Sequence, residues 1–314
     1  MSTPRPAAAL NRRQFLASSS AFAALALAGC ASDDDLLKPR QPLFQISLAE
    51  WSYNRAIFGK KMTHLDFPIV ARRTHDIDAI ELVNQFFMDK AKDQAYLREF
   101  KTRADTEGVA IKLIMCDDEG DLGDVDPAKR KQAVDNHRKW ADAAKFFGCH
   151  SIRVNAETGG KGSFEEQQKR AADGLRPLTE YCASLGLNCI VENHGGLASN
   201  GKWLVGLMKL VDHPRAGLLP DFGNWYDYDR YQGVTDMMPY ARAVSAKTHD
   251  FDQLGNCTET DYRRMLKIVL KAGYHRWLGI EYEGEHIPEA EGVKLTKLLL
   301  QRVEVELASE ALKS

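Results

Sequence analysis

The sequence predicts an α/β fold, a single closed (β/α)8 barrel. Three observations predict it. Eight short runs rich in apolar and β-branched residues lie between residues 44 and 283. Longer helical segments alternate with them, which gives a parallel sheet. The runs recur about every 30 residues, the length of one strand–helix unit. No Gly-x-Gly-x-x-Gly follows the first run, which counts against an open dinucleotide-binding sheet.

In order, the predicted strands are residues 44–52, 78–84, 109–116, 151–157, 188–194, 216–222, 243–250 and 277–283. Helix punctuation separates them. Asp126 caps a helix whose first position is Pro127, and Gly148 stops it. Ser163 and Glu166 form a capping box, and Gly186 follows that helix's last turn. Pro177 lies inside this helix and is expected to kink it. Gly108 and Gly273 stop two more helices.

Composition narrows the function. Of 314 residues, 44% are hydrophobic and 27% charged, as in globular chains and unlike disordered ones. The net charge of −2 and the lack of a basic stripe set nucleic acid aside as a partner. The longest apolar stretch, residues 15–29, is too short to span a bilayer.

The N-terminus reads as an address. Arg5 and Arg12-Arg13 precede an Ala-rich apolar segment that ends in Leu27-Ala28-Gly29-Cys30. Asn11-Arg12-Arg13-Gln14-Phe15-Leu16 resembles a twin-arginine export signal, and Leu27-Ala28-Gly29-Cys30 resembles a bacterial lipobox. These resemblances imply an export signal over residues 1–30. They also imply a lipidated Cys30 on a membrane surface and a periplasmic location. Residues 31–42 read as a polar tether and residues 43–314 as the barrel. The other five cysteines show no Cys-x-x-Cys pairing and are expected as buried thiols.

An active site in such a barrel forms at the C-terminal strand ends. Those ends carry Arg153 and Asn155, then Glu192 and His194, then Asp221 and Asn224, then Lys247 and His249, then Glu281 and Glu283. Strand side chains alternate, so Glu192, Asp221, His249 and Glu281 are expected to converge from four adjacent strands. Three carboxylates packed together repel unless a cation joins them. Oxygen ligands with one imidazole suit one divalent ion such as Mn, Mg, Co or Zn, the first three better than structural zinc. His194 is open between metal ligand, substrate contact and outer partner. Lys247 is open between counter-ion, holder of a sugar oxygen or enolate, and Schiff-base amine. Trp51, Phe86, Trp225 and Tyr226 are either pocket walls or core. The remaining histidines read as structural or surface groups.

With these residues the chain resembles the sugar isomerase/epimerase superfamily with the xylose-isomerase-like TIM barrel, and most of all its exported "sugar phosphate isomerase/epimerase" branch. The carriers are Ser47-Leu48-Ala49-Glu50-Trp51-Ser52, Ile80-Glu81-Leu82-Val83-Asn84-Gln85-Phe86-Phe87, Ile152-Arg153-Val154-Asn155, Val191-Glu192-Asn193-His194-Gly195-Gly196, Leu219-Pro220-Asp221-Phe222-Gly223-Asn224 and Ile280-Glu281-Tyr282-Glu283-Gly284. The resemblance implies metal ligands at Glu192, Asp221, His249 and Glu281, with Glu192 and Glu281 as acid and base on a sugar. In many relatives the strand 7 histidine stands two residues before the lysine's position, where this chain has Ser245. Asn224 replaces the histidine usual after the strand 6 aspartate. Arg153, Asn155, His194, Asn224, Trp51 and Glu283 are the expected substrate contacts. The implied activity is isomerisation or epimerisation through an enediolate. The alternatives are a lyase or hydratase on 3-keto-glycosides, a metal-free Lys247 aldolase and a non-catalytic sugar-binding lipoprotein. An abasic-site endonuclease would need more rim histidines and a basic face.

Overall fold

A computed structural model describes residues 41–311. The proposed export signal, and the tether up to residue 40, lie outside the described residues. Eight parallel strands follow one another: β1 Gln45–Ala49, β2 Ala79–Val83, β3 Ala110–Cys116, β4 Ser151–Val154, β5 Asn188–Glu192, β6 Ala216–Leu219, β7 Val244–Thr248 and β8 Trp277–Tyr282. A helix of eight residues or more follows each: α1 Phe67–His75, α2 Gln94–Thr106, α3 Pro127–Phe147, α4 Phe164–Ser184, α5 Gly201–Val211, α6 Arg230–Met237, α7 Tyr262–Lys271 and α8 Glu289–Ala311.

The sheet runs β6-β5-β4-β3-β2-β1-β8-β7. Between β7 and β6 the ladder shrinks to two isolated parallel bridges, Leu218 with Ala241 and Asp221 with Ser245. Three backbone hydrogen bonds close this seam: Arg242 N to Leu218 O at 2.9 Å, Ser245 N to Pro220 O at 3.0 Å and Phe222 N to Ser245 O at 3.1 Å. The sheet is therefore a ribbon curled almost to closure.

The local signals act as expected. The Asp126 carboxylate accepts from Ala128 N at 2.8 Å, and Gly148 ends α3 at φ 79°, where only glycine is unstrained. The Ser163–Glu166 capping box is present in both directions. Pro177 does not end its helix, which continues to Ser184. In the same helix Gly174 lets α4 press onto the preceding loop: a Cβ there would lie 2.0 Å from Leu122 O. The five described cysteines are buried free thiols.

Strand parity sorts two environments. Outward residues such as Ile80, Ile114, Ile152, Val191, Leu218, Val244 and Ile280 pack under the helices in one large apolar core. Inward residues form a small apolar layer of Ala49, Val83, Leu113, Met115, Ile190, Leu219 and Ala243. The rest of the interior is polar: Ser47, Glu81, Arg153, Glu192, Asp221, Ser245, Lys247 and Glu281 are all buried. The outer core holds the ring, and the inner column holds the chemistry.

Gly174→Ala should cost about 1–3 kcal/mol through overpacking. Gly148→Ala should cost about 1–2 kcal/mol through left-handed strain alone. Urea midpoints would measure both, and an unchanged Gly174→Ala midpoint would contradict the close approach of α4 to Leu122.

Candidate active site

The strand ends are shorter than the sequence suggests, and Asp221 explains why at β6. Asp221 Oδ1 accepts from Gly223 N and Asn224 N, both at 2.7 Å, and turns the chain out of the sheet. Its backbone is clamped from the neighbouring strand end. Asn193 Oδ1 accepts from Asp221 N at 2.7 Å, and Asn193 Nδ2 donates to Asp221 O at 3.1 Å. Trp225 Nε1 donates to the same carbonyl at 2.8 Å. Trp225 is therefore a buried support rather than a pocket wall, and Tyr226 is 73% exposed. What remains free is Asp221 Oδ2, a buried oxygen with no hydrogen-bond partner.

Asp221 stands beside Glu192 and Glu281. One carboxylate oxygen from each of Glu192, Asp221 and Glu281 lies within 4.8 Å of the others, and all three residues are buried. Two cations sit against the three acids. Arg153 Nε lies 2.8 Å from Glu192 Oε2, outside hydrogen-bond geometry, while its Nη1 donates to Asp117 Oδ1 at 2.6 Å. Lys247 Nζ lies 3.5 Å from Glu281 Oε1, 3.8 Å from Asp221 Oδ2 and 3.2 Å from Glu283 Oε1. Asn224 joins the two halves: its Nδ2 donates to Glu192 Oε1 at 3.1 Å, and its Oδ1 accepts from Lys247 Nζ at 3.2 Å. Ser245 Oγ donates to Glu281 Oε2 at 2.8 Å.

His249 does not join the acids. β7 ends at Thr248, so the alternation that carries Ser245 and Lys247 inward stops one residue before it. Its ring instead pairs with Glu259 at 3.2 Å and Glu283 at 3.7 Å. The β7 residue at the level of Asp221 is Ser245, its bridge partner.

The cluster opens into a cavity of about 480 Å³ whose walls include Trp51, Asp117, Asn155, His194, Glu281 and Glu283. Trp51 stacks on Phe86 at 5.8 Å, and Phe58 meets Phe86 edge-on at 5.2 Å, so an aromatic wall stands at the rim. A hollow of about 560 Å³ between α6 and α7 lies on the outer face, lined by Arg263, Arg264 and Lys267 among others, away from the buried acids. The chemistry favours the barrel mouth.

Burial pushes the Glu192 carboxyl well above its usual range against the pull of Arg153, with Glu281 and Asp221 adding to the rise. Burial also raises Glu281, against Lys247. Burial opposes the Lys247 charge too, but Asp221, Glu281 and Glu283 outweigh it and hold the ammonium firmly protonated. Glu283 moves the other way: despite burial, His249 and Lys247 draw it down to about 2. Two carboxyls thus keep protons readily, beside groups that stay charged.

Two participants escape the reading of strands 4 to 8. Asp117 directly follows β3 and, with Asn155 Nδ2 donating to it at 2.8 Å, orients Arg153. It stands at a strand end like the others, so the same rule applied to strand 3 finds it. Glu81 lies in β2, 1% exposed, and accepts from Ser47 Oγ at 2.6 Å. Gly279 makes room for it, since a Cβ there would sit 2.5 Å from Glu81 Oε2. Burial raises Glu81 to about 7.

An acid-lined barrel mouth of eight strand–helix units defines the class. The chain belongs to the xylose isomerase-like TIM barrel family, whose model matches residues 70–302. No curated protein matches it. Among solved structures it is similar to a xylose isomerase-like TIM barrel protein from Mycobacterium smegmatis in complex with magnesium. The identity there is 18% and the TM-score 0.64, covering 85% of this chain and 99% of that one. It is also similar to a probable 3-DHS dehydratase from Bacillus anthracis, with 16% identity and TM-score 0.61 over 82% of this chain and 97% of that one. A 3-keto-D-glucoside 4-epimerase from E. coli gives 14% identity and TM-score 0.62 over 83% of this chain and all (100%) of that one. At these identities the likeness is one of fold.

The donor set fits a divalent cation. Three buried carboxylates converge, and Asp221 Oδ2 and Glu192 Oε2 have no hydrogen-bond partner. All-oxygen donors suit hard ions such as Mg²⁺ or Mn²⁺.

Glu283 supplies the pH prediction. Its folded pKa of about 2 lies below the ordinary 4.5, so ionised Glu283 stabilises the fold fully above pH 4.5 and loses that effect as pH falls toward 2. Glu283→Gln should therefore flatten the acid limb of a Tm-against-pH curve in that window, and an acid limb identical to wild type would refute the assignment. Arg153→Leu leaves Glu192 and Asp117 unpaired and should cost about 3–5 kcal/mol in a urea melt.

Proposed function

We propose that the protein is a sugar isomerase or epimerase that moves a proton next to a carbonyl through an enediolate. The observation that carries this reading is the pair Glu192 and Glu281. Both are buried, Glu281 in the cavity wall, both hold their protons above the usual carboxylate range, and both border Asp221. Such a pair suits removal of a proton from carbon by one carboxylate and its return by the other. A divalent ion held by Glu192, Asp221 and Glu281 would polarise the carbonyl and its neighbouring hydroxyl.

The remaining roles belong to the chain's own groups. Arg153 and Lys247 keep their charges and face the acids, so they stabilise negative charge developing on substrate oxygen. Asn155 and His194 line the cavity and offer hydrogen bonds to sugar hydroxyls. The Trp51–Phe86 wall offers a face on which a sugar ring can stack. A lysine held charged by three carboxylates is a poor Schiff-base amine, which disfavours the aldolase reading. Arg12-Arg13 and the Leu27–Cys30 motif support export and lipidation at Cys30. Intact-mass analysis of the protein from its native membrane should show a lipid-bearing N-terminus that Cys30→Ser removes.

The test of the function is solvent exchange. Keto sugars and 3-keto-glycosides incubated in D₂O should gain deuterium at the carbon beside the carbonyl. Glu192→Gln and Glu281→Gln should each slow that gain by about 10²–10⁴-fold. Sugar binding without exchange would leave a binding protein instead. A dehydrated product in place of an epimer would assign the lyase form of the same proton abstraction.

A further inference from the structure

We propose that Lys247 is a built-in cation of this site, and that a divalent ion must compete with its ammonium for Asp221 and Glu281. The inference rests on reading Glu192, Asp221 and Glu281 as cation-binding groups. It adds that this chain already carries a positive charge at their edge.

Four observations carry it. The ammonium lies 3.5 Å from Glu281 Oε1 and 3.8 Å from Asp221 Oδ2, two of the residues whose oxygens converge. An ion bonded to Asp221 Oδ2 and Glu281 Oε1 at about 2.1 Å would draw on the same two oxygens as the ammonium. The lysine stem has a fitted seat: a Cβ at Gly223 would fall 2.8 Å from Lys247 Cδ and 2.9 Å from Cγ, so this glycine admits the stem. The head is oriented by two acceptors outside the triad, Asn224 Oδ1 and Glu283 Oε1, each at 3.2 Å. Finally, no histidine stands in the described group of three acids, and the β7 residue level with Asp221 is Ser245. The acids thus meet an ammonium on one side and the Arg153 guanidinium on the other. That neutralises much of the charge that would draw a divalent ion.

The chemical consequence concerns the source of positive charge at the reacting oxygen. A tethered ammonium can hold a developing oxyanion by charge and hydrogen bonding. It cannot be lost to a chelator.

The experiment is Mn²⁺ binding, followed by calorimetry and by the electron paramagnetic resonance signal of free Mn²⁺. Wild type is compared with Lys247→Gln and with the double variant Lys247→Gln/Asp221→Asn. Lys247→Gln keeps a donor near Asn224 and Glu283 but removes the charge. It should bind one Mn²⁺ at least tenfold more tightly than wild type, and the double variant should lose that gain. Mn²⁺ should also raise the Tm of Lys247→Gln at concentrations that leave wild type unchanged. Lys247→Met, which retains an unbranched stem against Gly223, serves if the glutamine variant does not fold. Equal affinities in wild type and variant, abolished by Asp221→Asn, would overturn the inference while leaving the cation reading intact. No binding to any of these proteins would overturn the cation reading and the inference with it.

Discussion

Charge balance inside a nearly closed ring is the constraint on which the site depends. A carboxylate in an apolar interior must be paired, hydrogen-bonded or protonated. Here five acids meet two cations. Arg153 takes Asp117 and Glu192, and Lys247 takes Asp221, Glu281 and Glu283. Asn224 bridges the halves by donating to one acid and accepting from the lysine. With more anions than cations, some acids must give up charge, and Glu192 and Glu281, both buried, are the pair whose pKa values rise. Burial is the larger cause of the rise, and the neighbouring cations oppose it without cancelling it.

The rest of the chain holds that cluster in place. Alternating strand residues send isoleucines, valines and leucines under the helices and send the polar set inward. Asn193 and Trp225 grip the Asp221 backbone, so the carboxylate with an unpartnered oxygen belongs to one of the most tightly held segments. Breaking a buried ion pair costs more than the pair contributes when intact. The network is better viewed as fixing one arrangement than as adding stability.

Much of this was legible in the sequence. Eight β-rich runs separated by capped helices give the barrel, and strand-end parity gives Glu192, Asp221, Lys247 and Glu281. His249 shows where that reasoning stops. Alternation holds only while the strand lasts, and β7 ends at Thr248. Trp225 and Tyr226 were ambiguous because hydrophobicity alone does not separate a wall from a support. The structure separates them by a hydrogen bond to Asp221 O and by exposure. Glu81 was illegible as part of the interior because its enclosure depends on Gly279, nearly two hundred residues away. The resemblance to the isomerase/epimerase superfamily implied a fourth ligand at His249, which lies outside the group of three converging acids.

The seam between β6 and β7 has a mechanical consequence. The ring is joined there by three backbone hydrogen bonds and two isolated bridges, without a continuous ladder. The joint is also the segment that presents Asp221, whose carboxylate turns the chain out of the sheet. Any ligand that bridges Asp221 to Glu281 ties β6 to β8 across β7, and so acts as a clasp on the ring.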